Sequence, residues 1–208
     1  MTALQIHQFY AGIAPWAGLA LILLGRNPHL SRTRIAVSLV LAFVLLRVHL
    51  EIGGMNYWSL FSWIRVLEPN PSLTLTGLLG IALWERIRGR MLFQKTDWNA
   101  AWIFGTVAAL VLYPMGLGLT RIDPYAWGWS PILPLTAAAI TMNFLLRGNR
   151  FGILLMLPFA GWVLGIQEST NFWDAIVDPF YGSASLVLTA NFAIRRCSPL
   201  TSAPSMID

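Results

Sequence analysis

The chain has 208 residues, 56% hydrophobic and only 11% charged, with a formal net charge of +5. A charged fraction under half that of an ordinary soluble domain argues against a solvated globular fold and leaves little length outside a bilayer. It also argues against nucleic acid as a partner, because the basic residues sit in separate short loops with no basic stripe or interleaved aromatic platform.

In chain order, seven apolar runs read as helices: Phe9 to Gly25, Ile35 to Ile52, Ser72 to Trp84, Trp98 to Leu119, Pro131 to Leu146, Phe151 to Gln167 and Pro179 to Ile194. A hydrocarbon core of about 30 Å needs roughly 20 residues at about 1.5 Å each, so the third and seventh runs are short and are expected to begin below the surface. Residues 57–67 between the second and third runs carry Trp58, Phe61, Trp63 and Leu67 among polar side chains, the pattern of a helix lying in the interface. Met1 to Gln8 lacks a positive stretch, so the first run is expected to stay in the chain rather than be cleaved.

Eleven of the fourteen Lys and Arg residues fall in four clusters between these runs: Arg26, Arg32 and Arg34; Arg86, Arg88, Arg90 and Lys95; Arg147 and Arg150; Arg195 and Arg196. Threading the chain through a bilayer puts all four on one side. Short positive loops remain cytoplasmic, which predicts an external N-terminus, a cytoplasmic C-terminus and a multi-pass protein of the bacterial inner membrane. The opposite connections hold Glu51, Glu68, Asp123, Glu168, Asp174 and Asp178, so chemistry is expected at that outer end. Trp58, Trp63, Trp127, Trp129 and Trp173 gather there too, either as an aromatic belt or around a ligand.

An internal echo organises the outer end. Glu51-Ile-Gly-Gly-Met-Asn56-Tyr57-Trp58 and Glu168-Ser-Thr-Asn171-Phe172-Trp173 both run from an acid to Asn-aromatic-Trp, and each precedes an acid-Pro pair, Glu68-Pro69 and Asp178-Pro179. With Pro15 and Pro134 in the first and fifth runs, this predicts one transmembrane domain over 1–208. It would hold two parallel three-helix units, 9–90 and 131–196, joined by a linker helix over 98–119 that stands apart from both. The plan is similar to the 3+1+3 bundles of the SWEET sugar transporters and the PnuC vitamin transporters. The likeness is one of helix count, and the first run reads Ala14-Pro15-Trp16 where the related PQ-loop proteins carry Pro-Gln.

Two acidic centres follow from spacing. Arg47, twelve residues into the second run, lies at a depth where charge is costly and usually paired. Glu51 is one helical turn on and Glu168 is the second choice of partner, unless Arg47 snorkels to lipid headgroups. The run Gly161-Trp-Val-Leu-Gly165 leads a small-residue packing face toward Glu168 and favours an inward-facing acid. Asp174 and Asp178 are four apart and would share a helical face, able to hold a cation or one shared proton, or simply remain solvated. The predicted binding set is Arg47, Glu51, Asn56, Trp58, Glu168, Asn171, Trp173, Asp174 and Asp178.

Cys197 is the only cysteine and His7, His29 and His49 lie in different loops and faces, so no disulfide, zinc cluster or bis-histidine haem is expected. The only lysine is Lys95, outside the seventh run, and no phosphate-binding glycine loop occurs, so neither retinal nor nucleotide chemistry is expected. No cofactor is implied. The leading expectation is a small-solute transporter or substrate-binding permease subunit with an outward-facing, polar, Trp-rich vestibule. The alternatives are an outer-leaflet membrane enzyme acting on a lipid or lipid-linked substrate, and a non-catalytic accessory or assembly subunit. The partners implied are the bilayer and a small-molecule or lipid-linked ligand, with a homo-oligomer or a larger membrane complex left open.

Overall fold

Each of the seven apolar runs carries a helix. A computed structural model describes the backbone at residues 3–25, 30–47, 49–52 and 55–197, and the side chains at 9–25, 30–47, 59–115 and 117–194. Among these, the long helices are α1 (Ala3–Leu24), α2 (Arg32–Arg47), α4 (Leu73–Arg88), α5 (Lys95–Gly116), α6 (Ile132–Leu146), α7 (Phe151–Val163) and α9 (Pro179–Cys197). Two shorter ones, α3 (Leu60–Leu67) and α8 (Phe172–Ile176), precede α4 and α9. By length and composition, Lys95–Met115 is the one stretch among the described residues able to cross a bilayer, and Phe9–Leu24, Ile132–Leu146 and Phe151–Val163 are shorter apolar helices.

The second run departs from expectation. The helix stops at Arg47, and residues 49–52 form a strand, β1, paired antiparallel with β2 over 55–59, in the register His49 to Ser59, Leu50 to Trp58 and Ile52 to Met55. Gly53 and Gly54 lie between them in sequence, and a Gly-Gly pair is a signal for a two-residue reversal because both central positions there favour positive φ. Glu51 therefore stands on a strand, not one helical turn beyond Arg47. The interfacial helix expected over 57–67 is shortened at its start for the same reason, and begins where the Ser59 hydroxyl accepts the Ser62 N–H at 3.1 Å.

At the arginine-rich end, carboxylates fasten loops to helices. Glu85 accepts the N–H groups of Leu92 and Phe93 at 2.7 Å each, and buried Asp97 accepts those of Gln94 at 2.8 Å and Arg150 at 3.0 Å, joining the starts of α5 and α7. Gly89 ends α4 in the left-handed region at φ 63°, which spares that turn the Cβ penalty.

The helices pack around a main core shared by α4 to α9 and a smaller one among α1, α2 and α4. The expected linker helix does not stand apart: α5 packs along α9 more extensively than any other pair of elements. Glycine makes this approach close. A Cβ on Gly105 would sit 2.2 Å from the Ser185 Oγ and 2.7 Å from the Tyr181 ring, and one on Gly182 would sit 2.9 Å from the Tyr113 ring. Across the seam the Tyr181 hydroxyl donates to the Ala101 carbonyl at 2.6 Å, and the Thr106 hydroxyl bonds that of Thr189 at 2.9 Å. α4 lies against α1, whereas α9 lies chiefly against α5.

Candidate functional site

The two acid-Pro pairs converge. Glu68 closes α3 and Asp178 opens α9, and both line a cavity of about 450 Å³ with Asp123, Asp174, Tyr113 and Tyr125, floored by Leu112 and Val177. Four carboxylates face it, and no basic side chain is among its described lining residues.

Asp178 is held hardest. It is only 3% exposed; one oxygen accepts the Tyr181 N–H at 2.8 Å, capping α9, and the other accepts the Ser72 N–H at 2.7 Å. Ser72 is itself the N-cap of α4, its hydroxyl accepting the Leu75 N–H at 3.1 Å, so one carboxylate ties two helix starts together. A carboxylate at helix N-termini meets orphan backbone donors and the positive end of the dipole, which stabilises the start of each helix. Around it Gln167 donates to the carbonyls of Pro71 at 3.2 Å and Asp174 at 3.1 Å, and the Tyr10 hydroxyl also donates to Pro71.

Glu68 is held loosely by comparison. It is 8% exposed and accepts one backbone N–H, from Asn70 at 3.2 Å. Burial, and then the negative charges of Asp178 and Asp174, raise its carboxyl from 4.5 to about 7, with the Asn70 N–H opposing the rise. Asp174 accepts the Tyr125 hydroxyl at 3.0 Å, and burial beside that carboxylate pushes the Tyr125 phenol up to about 12. The Tyr113 hydroxyl on the cavity wall is buried and has no hydrogen-bond partner among the described residues. Buried donors without partners are uncommon, so this hydroxyl is free to serve a bound polar group.

The remaining expected residues divide. Asn171 and Trp173 are buried, but they fasten a wall instead of facing the cavity. The Asn171 side chain accepts the Trp173 N–H at 2.9 Å and donates to the Tyr125 carbonyl at 3.0 Å, while the Trp173 indole donates to the Pro124 carbonyl at 2.7 Å. They thereby hold the 3-10 turn Tyr125–Trp129 against α8, and Asp123 starts that turn by accepting the N–H groups of Tyr125 and Ala126 at 3.0 and 3.3 Å. Glu168 is exposed and stands 4.0 Å from Arg65 on α3, not beside Arg47 and not inward, because the chain leaves the helix at Val163 and Gly165 turns at positive φ. The packing face that was expected to bring it in does exist one turn earlier, where Gly161 receives Leu73.

Arg47 is exposed and lines a different cavity, its guanidinium 5.4 Å from the Phe43 ring centre, with no carboxylate partner among the described side chains. The side chains of Glu51, Asn56 and Trp58 lie outside the described residues. Asp174 and Asp178 do share the cavity, though not a helical face: α8 ends at Ile176, and Val177 in extended conformation separates the two.

Glu68, Asp123, Tyr113 and Tyr125 are lining groups that the expected set lacks. The acid-Pro echo was the available signal for Glu68, since a proline after an acid marks a helix entrance where that acid can cap or face inward. Among the described residues no three His, Cys, Asp or Glu side chains are grouped to hold a metal ion, so the carboxylates are spread around a volume instead of focused on a point. No family model matches the chain, and no curated protein or solved structure is detectably similar to it.

Proposed function

We propose that the chain is a multi-span inner-membrane protein of the permease type whose acidic cavity takes a small organic cation from the outer side. The cavity carries the reading: four carboxylates and two phenols around about 450 Å³, with no described basic group to neutralise them. An ammonium of a few carbon atoms has the charge, size and donors to meet Asp174, Asp178 and the two phenol oxygens, and its apolar body would rest on Leu112 and Val177.

The membrane part rests on three supports. All four basic clusters fall on one side of the threaded chain. The apolar span Lys95–Met115 has the length to cross. Large apolar side chains also stay exposed along α2, α5, α6, α7 and α9, among them Val40, Phe43, Leu110, Leu135, Ile153 and Val187. Exposure on this scale supports contact with lipid, since a monomer in water rarely shows large apolar patches.

The test is a melting-temperature screen of the detergent-solubilised protein against alkylammonium compounds, neutral sugars and carboxylates of equal size. Uptake into proteoliposomes follows for any solute that shifts the transition. Cations should stabilise selectively, and Asp174→Asn and Glu68→Gln should each reduce that response. Equal shifts from all three classes, or none, would sink the reading. A second reading, a membrane enzyme using Glu68 as general base, is favoured by the titration of that carboxyl near neutral pH; turnover of a lipid-linked substrate without solute uptake would select it.

A further inference from the structure

Away from the acids, α1, α2 and α3 enclose a second cavity of about 340 Å³. Its walls are the rings of Phe9, Trp16, Phe43 and Phe61, and its one charged lining group among the described residues is Arg47. Trp16 is a fixed wall, because its indole N–H donates to the Leu39 carbonyl at 3.2 Å. Gly12 forms its floor, where a Cβ would meet only the Phe61 ring, in ordinary van der Waals contact at 3.7 Å. Phe9 stands 70% exposed at the rim.

An apolar slot of this shape suits a hydrocarbon chain, and a guanidinium at its mouth suits the anion at the end of that chain. Phe43 holds the guanidinium at stacking distance without neutralising it, so its hydrogen-bond donors remain available. Neutral amphiphiles would fill the slot yet leave the cation unmatched. Simple anions would meet Arg47 but leave the aromatic walls uncovered. The occupant that satisfies both is a bilayer phospholipid with a net negative headgroup.

We infer that this cavity is a site for one anionic phospholipid, its phosphate on Arg47 and an acyl chain between Trp16 and Phe61. The site is separate from the acidic cavity and rests only on the membrane part of the reading above. It assigns Arg47 to lipid recognition instead of to the solute.

Native mass spectrometry of the delipidated protein in detergent, titrated with phosphatidylglycerol and with phosphatidylcholine of the same chains, reads the site directly. The wild type should retain one phosphatidylglycerol per chain at about tenfold lower concentration than phosphatidylcholine, whose phosphate is offset by its own choline ammonium and so meets Arg47 with no net charge. Arg47→Gln should equalise the two lipids. Gly12→Leu, which fills the floor and leaves Arg47 in place, should lower retention of both, and millimolar inorganic phosphate should displace neither. Equal retention of the two lipids by the wild type, a preference that survives Arg47→Gln, or displacement by phosphate would each overturn the inference. Failure of the membrane reading itself would show separately, as release of the chain from membranes by an alkaline carbonate wash without detergent.

Discussion

Glu68→Gln isolates the energetic consequence of crowding carboxylates into one cavity. Glu68 is buried, and its carboxyl is raised from 4.5 to about 7 by burial and by the charges of Asp178 and Asp174. The folded state thus binds the proton more tightly than the unfolded one does. Stability from this group is fully present below about 4.5 and is lost as pH rises through about 7. The gap corresponds to about 3 kcal/mol at full loss, an upper figure because local relaxation and water entry reduce it. Glutamine keeps the shape and can still accept the Asn70 N–H, but it cannot ionise. Thermal melts in one detergent at pH 5 and pH 8 should therefore show a wild type that weakens toward pH 8 and a variant that does not, the two meeting at pH 5. At pH 8 the variant should melt higher, by a few degrees for each kcal/mol. Asp178→Asn is the companion measurement: with its charge gone, the Glu68 transition should move to lower pH. That variant should also lose about 1–3 kcal/mol, because an amide oxygen can accept only one of the two N–H groups that Asp178 now satisfies. Identical pH dependence in wild type and Glu68→Gln would refute the argument.

Two further outcomes test the fold. Gly105→Ala should destabilise the α5/α9 seam by about 1–3 kcal/mol, since the new methyl overlaps the Ser185 hydroxyl and the Tyr181 ring, and Gly105→Ala with Ser185→Ala should recover part of the loss in the same melts. In intact cells, impermeant thiol reagents should reach cysteines placed at 70 and 124 in a Cys197-free background and spare those at 30, 92 and 149; labelling at 92 would invert the topology.

The helices were legible because apolar runs broken by Arg clusters and Pro carry their boundaries locally. Ser72, Asp97 and Gly89 sit where start and stop signals place them. The ribbon at 49–59 was not, because the helical reading of Arg47 to Glu51 outweighed Gly53-Gly54, although that pair is the stronger local statement about backbone. Asp174 and Asp178 line one cavity, but not along the shared helical face that their spacing suggested. Arg47 was given Glu51 because the two would lie one helical turn apart, and Glu168 was turned inward by the Gly161–Gly165 face, whereas Glu168 is exposed and meets Arg65, over one hundred positions away. Tyr113 entered the cavity only through the packing of α5 against α9, which no window of sequence contains, and Glu68 was signalled by its acid-Pro pair alone.

The double cap at Asp178 has a mechanical consequence. A single carboxylate holds the starts of α4 and α9, so the two helix starts cannot part without breaking one of its two hydrogen bonds. Any occupant that draws this carboxylate toward itself loosens both fastenings together, which converts a local attraction into a displacement shared by distant halves of the chain. A carrier assembled on such a joint would open by parting α4 from α9, with Tyr181 and Ser72 as the first groups to report it.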